Sequence, residues 1–245
     1  MEQISKREIL GNQLFRYRGH IPLLFMVGAL LFLYFKTPTD FELSPWTIFK
    51  TTLLVLAGHG LRMATVGVRA FQSSGRNRSH QVAEQLNTSG MYSIMRHPLY
   101  AANLLIWLGW ASLLQSNVLW FLFFGVFSFY YAFIMHAEEA FLSRKFKEEY
   151  SIWKNKTPIV GLAFWKYKKA AGNFSWRIVV KNEYPGWISS FATAWMFAVV
   201  LTLKRGLWHW SENGHLIVYW ALVITAFGLT FKGLKKYTTV FYEMD

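Results

Sequence analysis

Two apolar stretches joined by a very short polar break decide the fold of this chain. They are LYAANLLIWLGWASLLQ (residues 99–115) and VLWFLFFGVFSFYYAFIM (residues 118–135), and only Ser116-Asn117 separates them. Each stretch approaches the roughly 20 apolar residues that a transmembrane helix needs. Because so short a break makes the second helix turn back along the first, we predict an antiparallel hairpin whose outer ends meet at one membrane face.

Four further apolar stretches flank the hairpin. They are Ile21–Phe35, Trp46–Val68, Trp187–Leu203 and His215–Phe231. The sequence therefore predicts an all-α integral membrane protein of about six transmembrane helices, folded as one domain over residues 1–245. The hairpin forms spans three and four, and residues 187–231 add two C-terminal spans.

The composition agrees with a membrane protein and excludes several kinds of site. Hydrophobic residues make up 53% of the chain and charged residues only 16%, whereas soluble proteins are about a quarter charged. The chain has no cysteine, which excludes a disulfide framework, a zinc-thiolate site and a thiol nucleophile. The net charge of +13 alone is compatible with nucleic acid, an anionic membrane surface or an anionic substrate.

The positions of the basic residues distinguish among these partners. Of the 26 Lys and Arg, 21 fall in segments on one side of the predicted spans and three on the other. This asymmetry predicts that both termini are cytoplasmic. The segments 147–156 and 164–169 mix lysines with aromatic residues, as expected beside anionic headgroups. We therefore expect a membrane lipid as partner and no nucleic acid, and the oligomeric state stays open.

Three polar segments lie at the predicted cytoplasmic ends of the spans, where polar clusters are functional candidates. They are GRNRSHQVAEQLNTSGMYS (75–93), RHPLY (96–100) and HAEEAFLSRKFKEEY (136–150). The hairpin brings the last two segments together. We therefore predict that Arg96, His97 and Tyr100 lie close to Glu138 and Glu139.

Simpler interpretations apply to some of these residues. Pro98 suits the first turn of a helix, and RHPLY is explained equally well as a helix start with an interfacial anchor. Glu148 and Glu149 are expected to be solvated. His59 and Arg62 share one helix face and either meet headgroups or line a gap between helices. No metal site is predicted, and the sequence has no P-loop, GxGxxG, HExxH or GxSxG motif.

Several motifs together resemble the isoprenylcysteine carboxyl methyltransferase superfamily, which includes phospholipid methyltransferases. The matching parts are TSGMYSIMRHPLY (88–100), Glu138-Glu139 with Leu142, and FKEEY (146–150) followed by Pro158. The likeness covers about residues 75–160, the expected methyltransferase core. The resemblance implies an integral membrane enzyme that transfers a methyl group from S-adenosyl-L-methionine.

Position by position, the resemblance also implies roles for individual residues. Cofactor contacts are expected at Glu84, Gln85, Leu86, Asn87, Tyr92, His97, Pro98, Leu99, Tyr100, Glu138 and Glu139. Arg96 and Tyr100 are the expected catalytic residues. Substrate contacts are expected at Arg96, Arg76, Arg78, Asn103 and His136. A carboxylate such as Glu138 offsets the positive sulfonium and ammonium of the cofactor, and Arg96 orients an anionic acceptor.

Two departures from the family pattern bear on the substrate. Ala102 stands where the family often has glycine. Ile134 stands where carboxyl-methylating members have an arginine, and the nearest basic residue is His136. A prenylcysteine carboxylate would lose a usual partner, so we expect an anionic lipid, foremost a lipid phosphate. The layout resembles bacterial enzymes that methylate the phosphate of lipid A, which implies an inner-membrane location.

Three alternatives stay open. The first is carboxyl methylation of prenylated proteins. The second is a sterol-type membrane reductase that uses NADPH, whose HPNYxGE motif corresponds here to HPLYAAN (97–103) with Asn103 in place of glutamate. The third is a transporter or scaffold without enzymatic activity. Binding of S-adenosylmethionine, of NADPH or of neither distinguishes methyltransferase, reductase and scaffold.

Overall fold

The computed structural model describes residues 5–68, 83–161, 163–170, 172–210 and 214–241. Over these residues the chain forms seven α-helices: α1 (Lys6–Arg16), α2 (Ile21–Lys36), α3 (Pro45–Val66), α4 (Pro98–Ser112), α5 (Asn117–Lys156), α6 (Trp176–Lys204) and α7 (His215–Tyr237). Extended pairing within the described ranges is limited to one isolated antiparallel bridge between Gly90 and Lys168. The predicted all-α class is confirmed.

Each of the six predicted apolar stretches forms a helix, and α1 is an additional helix. By length and composition, α5, α6 and α7 can each cross a membrane, and α1 with α2 qualifies as one span bent by 65°. The protein is therefore a membrane protein, with three or four such spans among its described residues. The count of six spans stays a prediction.

The hairpin of α4 and α5 forms because a capped turn follows directly on the first helix. Gln115 adopts a left-handed backbone conformation with φ 48°, which reverses the chain after α4. The Ser116 hydroxyl then accepts a hydrogen bond from the Leu119 N–H and caps the start of α5. The first residues of α4 and the later part of α5 consequently lie at the same end of the bundle.

Helices α3 and α4 pack closely because glycine stands at their crossing. A Cβ on Gly58 would lie 2.6 Å from Cγ1 of Ile106 and 2.7 Å from the carbonyl oxygen of Ala102. Ala102 is fully buried. The alanine that departs from the family pattern therefore packs where α3 has no side chain.

Helices α5 and α6 are both longer than the predicted spans. Helix α5 continues past Met135 to Lys156, and Lys147 interrupts it with non-helical angles of φ 45° and ψ −112°. Helix α6 begins at Trp176, ahead of the predicted start at Trp187, and includes Pro185. These polar extensions are helical because they pack against other parts of the protein, which hydropathy does not report.

Candidate active site at the base of the hairpin

A buried ion-pair cluster lies where the start of α4 meets α5. The Arg96 Nη1 atom is 2.7 Å from Oε1 of Glu139, and Nε2 of His97 is 3.1 Å from the same oxygen. The Lys154 Nζ atom lies 3.4 Å from Oε2 of Glu139. The side chains of Arg96 and His97 are both buried. The predicted meeting of Arg96 and His97 with the two glutamates is confirmed.

Glu138 belongs to the same cluster but has different neighbours. Its Oε2 atom is 3.8 Å from Nδ1 of His97, and the Tyr100 hydroxyl lies within hydrogen-bonding reach of its carboxylate. The His97 and Tyr100 rings are in contact, with centroids 5.8 Å apart. Glu138 is 31% exposed and Glu139 only 15%. Glu138 is thus the more accessible of the two carboxylates.

The charges around Glu139 keep it ionised. It lies beyond Met135, in the polar continuation of α5. Burial raises the pKa of Glu139, but the hydrogen bond from His97 and the charges of Arg96, His97 and Lys154 lower it to about 2. Glu139 therefore acts as the fixed counter-ion of Arg96.

One buried donor in the cluster has no acceptor, which tests whether the site suits an anionic group. Nε of Arg96 is buried and has no hydrogen-bond partner. The Tyr150 hydroxyl lies beside Arg96 and within reach of Glu139, and burial raises its pKa, so it stays protonated. Leaving a buried donor unsatisfied is costly. A carboxylate of the expected cofactor or an anionic acceptor would satisfy Nε of Arg96, so the residues present fit such a ligand.

The polypeptide before α4 is held by segments that come later in the chain. The Arg96 N–H donates to the Pro158 carbonyl at 2.8 Å, and the Trp153 indole N–H donates to the Tyr92 carbonyl at 3.0 Å. Ser93 accepts a hydrogen bond from the Lys168 N–H at 2.9 Å. These contacts fix the position of Arg96 before α4 begins.

Gly90 allows the segment before α4 to pair with the segment around Lys168. Its φ of 58° lies in the region that residues with a side chain rarely adopt. In this conformation its N–H donates to the Lys168 carbonyl at 2.9 Å and forms the isolated bridge. The 83–97 segment is therefore tied to the stretch that precedes α6.

The other predicted cofactor residues lie near this cluster along the chain. Pro98 and Leu99 form the first turn of α4, and Tyr92 lies in a short 3-10 turn. Glu84 and Gln85 are exposed, whereas Leu86 and Asn87 are partly buried. The structure thus places these residues on one continuous loop and helix start, and their contacts with a cofactor stay predictions.

The predicted substrate residues are more dispersed. His136 is exposed on the face of α5 that carries Arg144, and its charge acts on Glu8 of α1. It therefore lies toward α1 rather than in the Arg96 cluster. Asn103 bonds to Arg62 of α3. Arg76 and Arg78 lie outside the described residues.

Sequence reasoning missed three residues of this region: Tyr150, Lys154 and Glu183. Tyr150 closes the FKEEY motif, which was a usable signal. Glu183 forms a two-point ion pair with Arg62, and His59 bonds to Ser190 at 2.8 Å. His59 and Arg62 therefore contact α6 rather than headgroups.

Comparison with known proteins identifies the family. The model of the phospholipid methyltransferase family matches residues 46–149, which include α3, α4 and most of α5. The cobalt-zinc-cadmium resistance protein CzcN of Cupriavidus metallidurans is 30% identical over 180 residues, covering 71% of this chain and 75% of that protein. The chain belongs to the phospholipid methyltransferase family. The resemblance to the isoprenylcysteine carboxyl methyltransferase-like superfamily is confirmed.

A second relative covers a shorter part of the chain. The nickel-cobalt-cadmium resistance protein NccN of Alcaligenes xylosoxydans xylosoxydans is 33% identical over 119 residues, which are 47% of this chain and 53% of that protein. No solved structure matches the chain. Among the described residues, no group of three or more His, Cys, Asp or Glu is arranged to hold a metal ion. Proteins of the phospholipid methyltransferase family are membrane methyltransferases.

Proposed function

We propose that the chain is an S-adenosyl-L-methionine-dependent O-methyltransferase that acts on an anionic lipid headgroup, foremost a lipid phosphate of the lipid A type. The observation that supports it best is the buried cluster of Arg96, His97, Glu138 and Glu139 at the base of the hairpin. The cluster lies within the residues that match the phospholipid methyltransferase family.

The two glutamates balance different positive charges. When bound, S-adenosylmethionine supplies an electrophilic methyl group, which bonds to the acceptor oxygen as the carbon–sulfur bond breaks and its electron pair stays on sulfur. Glu139 is neutralised by Arg96 and Lys154. The more exposed Glu138, which the Tyr100 hydroxyl holds in place, offsets the positive charge of the cofactor.

We assign binding and orientation of the acceptor to Arg96, with Tyr150 beside it. A phosphate oxygen that is already anionic needs no general base. The protein therefore accelerates the reaction mainly by orienting this oxygen toward the methyl group. The guanidinium group binds such oxygens bidentately, and Nε of Arg96 has no partner within the protein. The Tyr150 hydroxyl lies beside it, within reach of Glu139. Arg96 is the proposed catalytic residue because it contacts the acceptor.

Charge on the membrane face supports an anionic lipid over a neutral one. The many basic residues of the predicted cytoplasmic side, among them Arg76 and Arg78, raise the local concentration of anionic lipid. We assign both termini to the cytoplasm and the protein to a bacterial inner membrane. This orientation places the cluster beside the inner headgroups.

The names of the relatives are compatible with this chemistry. CzcN and NccN are named for resistance to divalent metal ions. A phosphate monoester that gains a methyl group loses one ionisable oxygen. It therefore attracts divalent cations less strongly. We infer that this chain changes the metal affinity of a lipid rather than binding the metal.

Transfer of a labelled methyl group tests the proposal. The purified protein is incubated with tritium-labelled S-adenosylmethionine and a bacterial lipid extract, and label is counted in the lipid and protein fractions. We expect label in an anionic lipid. Label confined to protein C-termini would support prenylcysteine methylation instead, and label in phosphatidylethanolamine would identify an amine acceptor. Calorimetric binding of NADPH without S-adenosylmethionine would favour a reductase.

A further inference from the structure

A second buried polar cluster lies where α6 packs against α3 and α4. Nε and Nη2 of Arg62 are 2.5 Å and 3.0 Å from the two carboxylate oxygens of Glu183. Nη1 of Arg62 is 2.6 Å from Oδ1 of Asn103. Glu183 is 1% exposed. One arginine thus joins three helices through short, directed contacts.

Stability alone does not account for such a pair. Desolvation of two charges offsets much of their attraction, so replacing a buried ion pair by apolar side chains is often neutral or stabilising. Glu183 also lies outside residues 46–149, which match the family. Helix α6 therefore brings a carboxylate from beyond the matched region to an arginine and an asparagine within it.

The pair is linked to the candidate active site through Asn103. Because Arg62 donates to Oδ1 of Asn103, the amide nitrogen is left to face the Tyr131 hydroxyl, which lies within hydrogen-bonding reach. The Tyr131 ring contacts the Tyr100 ring with a centroid distance of 5.3 Å. Tyr100 in turn reaches Glu138. The contacts form a continuous path from α6 to the carboxylate at the proposed cofactor site.

We propose that Arg62 and Glu183 are positioning residues for methyl transfer, a role that rests on the proposed function. Glu183 fixes the direction of the Arg62 guanidinium, and Arg62 fixes the amide of Asn103. The oriented amide holds Tyr131 against Tyr100, and this contact sets the Tyr100–Glu138 geometry. Helix α6 then helps to position the groups of the active site and is not only a lipid-facing addition.

A double substitution distinguishes a positioning role of Arg62 and Glu183 from a purely structural role in holding α6 against α3. Arg62→Met with Glu183→Leu removes both charges and leaves apolar side chains of similar size, so the protein is expected to fold. Because the path ends at Glu138, which is assigned to the cofactor, the dissociation constant of S-adenosylmethionine should also rise. Misplacement by about 1 Å can reduce rates up to about a hundredfold, and we expect kcat to fall about tenfold.

The matched control is a second two-point ion pair between helices, in which the partly exposed Arg144 of α5 binds the buried Glu8 of α1. The same exchange there, Glu8→Leu with Arg144→Met, is expected to leave kcat unchanged. Transfer of tritium from S-adenosylmethionine to a bacterial lipid extract gives kcat and the KM for the cofactor. A double variant at 62 and 183 that is folded, binds the cofactor and keeps the wild-type kcat would overturn the proposal.

Tyr131→Phe provides a second test that does not disturb the ion pair. It removes only the hydroxyl that faces Asn103, and it should lower kcat to a similar extent. Combined with the double substitution it should add little, because both act through one path. Wild-type kcat in Tyr131→Phe, or fully additive losses, would contradict the proposal. If the wild-type protein does not bind S-adenosylmethionine at all, the proposed function itself is wrong.

Discussion

Adjacent glutamates in this protein occupy different electrostatic environments. Glu139 contacts Arg96, His97 and Lys154, whereas Glu138 is more exposed and lies beside Tyr100. The first is a structural counter-ion, and the second is the more exposed carboxylate, which we assign to the cationic cofactor. The two residues should therefore respond differently to the same substitution.

Glu138→Gln and Glu139→Gln test this difference. Glu138→Gln removes the charge that offsets the cofactor, so we expect its dissociation constant for S-adenosylmethionine to rise about tenfold with little change in thermal stability. Glu139→Gln leaves Arg96 buried without its counter-ion and should destabilise the fold by about 3 kcal/mol. Calorimetry and thermal unfolding in detergent measure the two effects. Equal effects in both assays would contradict the assignment.

The lowered pKa of Glu139 predicts a pH dependence of stability. An unfolded glutamate has a pKa of about 4.3, whereas that of folded Glu139 is lowered to about 2. This stabilisation is therefore fully present above the unfolded value and is lost as the pH falls from about 4.5 to about 2. Thermal unfolding across this range should show a loss that Glu139→Gln lacks. A variant with the same acid loss as the wild type would contradict the prediction.

Sequence reasoning located the Arg96 cluster because the hairpin and the local motifs determine it. It did not find the Arg62–Glu183 contact, whose partners are 121 residues apart. Nothing in the local pattern of Glu183 indicates which helix it meets. Tyr150 closes the FKEEY motif, and its burial beside Arg96 comes from tertiary packing that the motif does not describe.

At the scale of helices, hydropathy predicted the existence of six elements better than their lengths. The apolar part of α5 ends at Met135, yet the helix continues to Lys156. Tyr150 and Trp153 in this continuation are buried, and Trp153 bonds to the Tyr92 carbonyl. The part of α5 after Met135 packs on the loop before α4 instead of facing lipid. Hydropathy values of single residues do not report such contacts between distant segments.

The contact between α3 and α4 gives a paired test. Gly58→Ala places a Cβ 2.7 Å from the Ala102 carbonyl, so the helices must separate and the protein should lose about 1–3 kcal/mol of stability. Gly60→Ala, in the same helix, has no atom within 4 Å of its new Cβ. It should be neutral or slightly stabilising. Unfolding of both variants in detergent checks the difference, and equal stabilities would contradict this packing.

At the scale of the whole molecule, charge asymmetry predicts the orientation in the membrane. Most basic residues lie in segments at the same end as the Arg96 cluster, so that end should face the cytoplasm. The proposed substrate and cofactor would then meet at the inner surface. The absence of cysteine makes this orientation directly measurable.

Single cysteines introduced at exposed positions report the orientation. Lys6→Cys lies in α1, and Asp40→Cys lies in the connection between α2 and α3. With a membrane-impermeant maleimide, position 40 should react in intact cells and position 6 only after permeabilisation. The reverse pattern would place the cluster on the outer surface and contradict the proposed access to cytoplasmic cofactor.

The central claim is that this membrane methyltransferase methylates an anionic lipid through the Arg96 and Glu138 site. Mass spectrometry of total lipids from bacterial cells with the wild-type protein, with Glu138→Gln and without the protein tests it most directly. We predict a phosphate-bearing lipid that is one methylene heavier with the wild-type protein, is strongly reduced with Glu138→Gln and is absent without the protein. Identical lipid spectra from all three cultures would contradict the claim.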